Sequence, residues 1–189
     1  MKHATRYHPL LVILHWLIAL LILAALGLGV FGLALTPDAD PGKIDRLEIH
    51  MAGGMLILAL MAVRFLVRLA TARPGPILTG RPALDRLAPL THYGFYILVP
   101  LMVGTGYTTG ILAGLPAIVF QRSGAPLPAD LLLYPTQLAH GVFGALLTAL
   151  IGLHLAAALH HRLTLKDGLF RRMTLGQRVV DGQSVSRPT

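Results

Sequence analysis

The run LAHGVFGALLTALIGLH, residues 138–154, is apolar except for Thr148 and two histidines, His140 and His154. As an α-helix it would turn about 100° and rise about 1.5 Å per residue. The fourteen-residue spacing is then nearly four whole turns. Both rings leave one face, about 21 Å apart along the axis. An imidazole in hydrocarbon is costly unless something satisfies it, so a histidine in a membrane span marks a functional site by default. Two on one stripe, one near each end, indicate two ligand sites stacked through a bilayer.

The rest of the 189-residue chain has the same character. Hydrophobic residues make up 54% and charged residues 13%, too apolar for a soluble domain of this length. There is no cysteine, which excludes disulfides, thiolate-ligated clusters or haem, and covalent c-type attachment. The formal charge of +8 could indicate nucleic acid, but the basic residues crowd the ends of apolar runs as cytoplasmic flanks do. Nucleic-acid binding is therefore not expected.

Working outward, the run lies in a span from about Thr136 to Arg162. A first span covers about Leu10 to Leu35. Its segment MKHATRYHPLLVILHWLIALLILAALGLG, residues 1–29, is too long and too free of a cleavage site for a signal peptide, and it carries His15. A second span, from Leu47 or Ile49 to Leu69, holds His50. A third, about Leu87 to Leu115, holds His92 and contains Pro100, which should kink it. The segment QRSGAPLPADLLLYPTQ, residues 121–137, reads as loop with a short interfacial stretch. The expected fold is all-α, a transmembrane four-helix bundle over residues 1–173. A basic, polar tail, 174–189, is expected to fray after about Met173.

Thirteen of the sixteen Lys and Arg residues fall on the N-terminal flank, the second loop and the C-terminal flank. Only Lys43, Arg46 and Arg122 lie in the first and third loops, and the first loop also carries four acids. The positive-inside rule then places both termini in the cytoplasm.

This topology gives each histidine a depth. His50 and His140 lie near the outer surface. His15, His92 and His154 lie nearer the inner one, with His160 and His161 at the inner interface. Neutral imidazole is a standard haem-iron ligand, and a bis-histidine haem needs two rings facing each other at one depth. His50 can meet His140. His154 can meet His15 or His92, and depth alone does not choose. Arg64 follows His50 by fourteen residues, so it shares that face at the inner level. It is a partner for a haem propionate or a side chain snorkelling to the interface. Gly53, Gly54, Gly141 and Gly144 would let a porphyrin approach the backbone, although close helix packing also favours glycine. His3 and His8 read as solvated flank residues. A zinc or copper centre would want three or four donors in one cluster. A proton-coupled transporter is the stronger rival, because intramembrane histidines also serve proton relays. No span interior holds a carboxylate to support it.

The chain resembles the bacterial cytochrome b561 family, four-helix di-haem b-type cytochromes of the inner membrane. The resemblance rests on LHWL at His15, IHMAGGMLILALMAVRFLVRL at His50, THYGFYILVPLMVGTGY at His92 and LAHGVFGALLTALIGLHLAAALHHRLTLKDGLFRRM from Leu138. It implies two haem b groups, held by His15 with His154 inside and by His50 with His140 outside. His92 matches a family histidine that is not an axial ligand. His161 matches the second histidine of the HH pair, and with His92 it is a candidate quinone or proton site.

The resemblance further implies a membrane oxidoreductase of the bacterial inner membrane, passing electrons to or from ubiquinone or another quinone. At least one member oxidises superoxide at the periplasmic face and reduces ubiquinone. That member carries a Ser–Trp pair where this chain has Leu138 and Ala139. Related membrane subunits of hydrogenases and formate dehydrogenases use the same ligand pattern. Their likeness implies the alternative of a haem-bearing anchor that relays electrons for a partner protein.

Overall fold

A computed structural model describes residues 4–76, 80 and 82–180. His3, Arg81 and residues 181–189 of the tail lie outside that set. Helix α1 (Pro9–Gly27) runs into a wider π-helical segment, Leu28–Ala34. It is followed by α2 (Lys43–Ala70), α3 (Pro82–Leu112), the short α4 (Leu115–Val119) and α5 (Pro135–His160), which is extended by His161–Leu165. Among the described residues, four segments are long and apolar enough to cross a bilayer: Pro9–Ala34, Lys43–Ala70, Pro89–Leu112 and Pro135–Leu165. Each exceeds the roughly 20 residues that the hydrocarbon layer requires.

Residues chosen for lipid contact keep much of their surface free. Leu20, Phe31 and Leu66 are all highly exposed, as expected where the outer surface of a bundle meets acyl chains. The inward stripe is narrow. Leu14, Ile18 and Ile22 recur at four-residue intervals on α1 and meet Ile57 and Met61 of α2, Val99 of α3 and Leu147 of α5. Helix α1 lies against α2, and α3 lies against α5. Small residues set the second contact: a Cβ at Gly94 would stand 3.0 Å from Leu150, and one at Gly144 would stand 3.2 Å from Met102. Gly144 therefore serves helix packing. Thr109 and Thr136 join α3 to α5 through their hydroxyls at 2.7 Å, a bond of a kind worth about 0.6 kcal/mol in membranes. Pro100 sits in the interior of an otherwise continuous α3.

The expected third span ends earlier than the apolar pattern does. Gly114 takes φ 67°, a left-handed conformation that glycine adopts without a Cβ penalty. The chain then turns into α4. There Leu115, Ile118 and Val119 bury themselves against Ile44, Leu47 and Met51 of α2 and Leu127.

The two ends of the bundle differ in charge. At one end Asp40 accepts from the Gly42 N–H at 2.8 Å and from Arg46 at 2.5 Å. These two donors hold its carboxyl below the usual range. Arg122 pairs with Asp45 at 2.8 Å and with Glu48, tying the third loop to the first turn of α2. The opposite, basic end gathers the N-terminal flank, the second loop and the C-terminal flank. Ala4 bridges Val180, Thr5 N–H donates to the Val179 carbonyl at 3.0 Å, and Tyr7 N–H to that of Arg172 at 3.3 Å. Arg178 donates to the carbonyls of Arg6 at 3.1 Å and Ala72 at 2.9 Å. Residues 174–180, expected to fray, are thus held by backbone and arginine contacts.

Candidate functional site

The helices bring the sequence-selected histidines together in pairs across the two hairpins. His50 of α2 and His140 of α5 have ring centres 6.1 Å apart, with planes inclined at 80°. Nearer the basic end, His15 of α1 and His154 of α5 have ring centres 6.2 Å apart, inclined at 67°. Two imidazoles facing each other across one metal ion, each bound at about 2 Å, have ring centres about 6 Å apart. The spacing at both levels is compatible with one ion between the rings. His92 also reaches the second level, 5.6 Å from His154, so distance does not separate it from His15.

The surroundings of His140 fix its ring. Its Nδ1 lies 2.8 Å from the Met102 carbonyl. A carbonyl only accepts, so Nδ1 carries the proton and Nε2 keeps its lone pair free. A carbonyl that holds one ring nitrogen in this way leaves the other oriented for a metal. The ring fits because residue 106 is glycine: a Cβ there would stand 2.8 Å from Cε1. His50 is seated similarly against the π-helical segment that continues α1, where a Cβ at Gly29 would lie 3.3 Å from its Cε1. Its Nδ1 is buried, with the Ala25 carbonyl alongside but no hydrogen bond of normal geometry. At Gly53, Gly54 and Gly141 a Cβ would meet nothing within 4 Å. Beside His154 stands Phe95, 5.5 Å between ring centres, and beside His15 stands Trp16, at 5.3 Å.

Each level also has an arginine. Arg64 donates from Nη1 to the Tyr96 hydroxyl at 2.5 Å, yet its Nε is buried without a partner. Arg46, one turn from His50 on α2, likewise has a buried, unpartnered Nε. A buried guanidinium donor is costly to leave unmade, and an anionic group beside each would complete it. Sequence reasoning selected Arg64 and passed over Arg46, although its four-residue offset from His50 places it on the same face.

At the foot of α5, His161 meets Asp167, Nδ1 to Oδ2, at 2.5 Å. The other carboxylate oxygen accepts from the Leu169 N–H at 3.0 Å. Burial works against ionisation of Asp167, but the bonds from His161 and Leu169 outweigh it and hold the carboxyl below its ordinary range. Asp167 escaped a search confined to span interiors, because it lies just past the end of the last span.

A bundle of four spans with paired imidazoles at two depths defines a membrane protein able to hold metal cofactors between its helices. Comparison with known proteins makes the class specific. A profile of the prokaryotic cytochrome b561 family matches residues 6–176. Over 176 residues the chain is 30% identical to the probable superoxide oxidase CybB of Yersinia pestis, covering 89% of this chain and 95% of that protein. Over 121 residues it is 27% identical to cytochrome b561 homolog 2 of Escherichia coli (strain K12), covering 64% of each. That second match spans less than two thirds of the relative's length. The chain belongs to the prokaryotic cytochrome b561 family. Membership carries a b-type haem and a role in electron transfer in a multi-pass bacterial membrane protein.

Proposed function

We propose that this protein is a di-haem quinone-linked oxidoreductase of the bacterial inner membrane, with both chain termini cytoplasmic. The observation that carries the reading is the equal spacing of the two histidine pairs, 6.1 Å and 6.2 Å. On this reading His50 and His140 hold one haem b near the periplasmic face, and His15 and His154 hold a second near the cytoplasmic face. Haem held by these residues would supply one-electron oxidation and reduction. The Met102 carbonyl holds His140 in the ligating tautomer. Arg64 would take the charge of a propionate at its level, while Arg46, whose charge Asp40 already balances, would offer only its unpartnered Nε–H. The basic end gathers three Lys- and Arg-bearing segments, which supports its cytoplasmic placement. We assign residues 1–173 to the membrane domain and 174–189 to a cytoplasmic tail.

Quinone chemistry moves protons with electrons, so a titratable group is wanted beside the quinone. His161, bonded to Asp167 at the cytoplasmic interface, fits that role, and His92 stands close to His154 for the same purpose. The name of the Yersinia relative suggests superoxide as electron donor. Electrostatics favour a quinol over that anion here. Among the described residues this end of the bundle holds Asp38, Asp40, Asp45, Glu48 and Asp130 against Lys43, Arg46 and Arg122, and those cations are paired with carboxylates. A net acidic mouth repels rather than steers a small anion.

Protein purified in mild detergent should show low-spin b-type spectra with two haems per chain. One haem, or none, in folded protein would defeat the reading. Stopped-flow mixing then separates donors. Reduction of the haems by a soluble quinol supports the quinone link. Reduction by superoxide that ubiquinone reverses would instead make it a superoxide oxidase. Reaction with neither would leave it a relay subunit for a partner dehydrogenase.

A further inference from the structure

Two cavities meet at the basic end, and the function proposed above uses neither. The first, about 240 Å³, is lined by Thr5, Arg6, Gly168, Arg171 and Arg172. The second, about 500 Å³ and almost wholly apolar, runs along Val12, Ile13 and Trp16 of α1, facing Met173, Thr174 and Leu175. They share a wall. Arg6 donates from Nη1 to the Thr174 hydroxyl at 3.0 Å and to the Leu175 carbonyl at 3.1 Å. Trp16 closes the apolar side by donating from Nε1 to the Met173 carbonyl at 2.9 Å.

Three guanidiniums around one small cavity repel each other unless an anion lies among them. Among the described residues no carboxylate pairs with them. Arg172 donates to the Gly75 carbonyl at 2.5 Å, Arg6 to neutral oxygens, and the Arg171 side chain makes no described hydrogen bond. Helix α1 starts at Pro9, so Thr5 and Arg6 stand just outside the span, while Val12 to Trp16 occupy its first two turns. The polar cavity therefore lies at headgroup depth and the groove at acyl depth. Trp16 is half-exposed at the boundary where tryptophan commonly anchors a span.

We propose that this double cavity binds one anionic phospholipid. Its phosphate sits among Arg6, Arg171 and Arg172, and one acyl chain lies along Val12, Ile13 and Trp16. Arginine recognises phosphate through directed, charge-assisted hydrogen bonds, and basic pockets at the ends of membrane helices select anionic headgroups. A quinone matches the groove but not the cations, because its head is neutral. The site is independent of haem content. Its occupant would nonetheless touch Trp16, whose ring packs on that of His15.

The test is native mass spectrometry of the full chain in mild detergent, titrated with phosphatidylglycerol, phosphatidylcholine or inorganic phosphate. Phosphatidylglycerol should give one retained adduct per chain, phosphatidylcholine a weaker one, and inorganic phosphate should not displace the first. Arg171→Gln removes a side chain that holds nothing else, and should weaken phosphatidylglycerol binding about fivefold. Ile13→Trp, at an exposed position, should block the groove and reduce the adduct without lowering the thermal midpoint of lipid-free protein. The proposal is overturned if the two lipids bind alike, if inorganic phosphate displaces phosphatidylglycerol completely, or if a soluble quinone analogue displaces it one for one. It is equally overturned if neither substitution changes binding.

Discussion

Gly106 of α3 lies so close to His140 of α5 that a Cβ at that position would stand 2.8 Å from Cε1 of the ring and 2.9 Å from Nδ1. The same contact leaves His140 within reach of the Met102 carbonyl. Gly106→Ala should push the ring out of this seat and break its bond to the carbonyl. We expect affinity at that level to fall about 10–100-fold, the usual cost of losing the group that holds a ligating imidazole in place. The level of His15 and His154 should be unchanged. Haem content measured by pyridine haemochrome, with spectra of the remaining haem, checks this; full retention of both haems would show the seat to be unimportant.

The ligand assignments are separable in one set of variants. His140→Ala should remove only the haem near the acidic end, and His154→Ala only the haem near the basic end. His92→Ala should keep both. Electron paramagnetic resonance of the low-spin signals distinguishes the two centres. If His92→Ala removed a haem while His15→Ala did not, His92 would replace His15 as the ligand opposite His154.

Arg64 tests the electrostatics. A cation beside a haem favours the reduced, less positive form. Arg64→Gln should therefore lower one midpoint potential by tens of millivolts, as expected for a unit charge about 10 Å away at intermediate dielectric. Tyr96→Phe removes only a hydrogen bond to the guanidinium and should produce a smaller shift in the same direction. Redox titration followed optically resolves these changes, and equal potentials in all three proteins would remove Arg64 from the site.

The Asp167 carboxyl titrates below its ordinary value of 3.8 when folded. A carboxylate with a depressed folded pKa adds stability above its unfolded pKa and loses it as pH falls through the folded value. Asp167→Asn should therefore melt at a lower temperature than the parent chain at all pH values above about 4, and the gap should close on further acidification. Thermal melts across that range measure it. A gap that persisted or widened in acid would show that the His161–Asp167 contact acts other than through the carboxylate charge.

Much of this arrangement was legible in the sequence because it depends on period and composition. Apolar length located the four spans, and the fourteen-residue spacing of His140 and His154 placed the rings on one face. Charge counts grouped the basic segments that the structure brings to one end. What escaped were features set by contact between helices. Gly106 resembles any other small residue of a membrane helix until the ring of His140 is placed against it. Of the two roles open to Gly144, packing is the one its contact with Met102 supports, and the sequence does not name that neighbour, since a spacing fixes a face and not a neighbour. Arg46 was counted as a loop charge, because α2 begins a turn earlier than its hydropathy indicates. The hold on residues 174–180 depends on carbonyls of residues far away in the chain, to which no local pattern points.

That last hold bears on how the molecule is made. Residues 4–7 take their partners from residues 172–180, which leave the ribosome long after the first helix has entered the translocon. Apart from the bond of the Ala4 N–H to the Arg73 carbonyl, residues 4–7 must therefore wait for these partners until α5 and the segment after it have been synthesised. Closure of this face becomes a late event in biogenesis, after membrane insertion of all four helices.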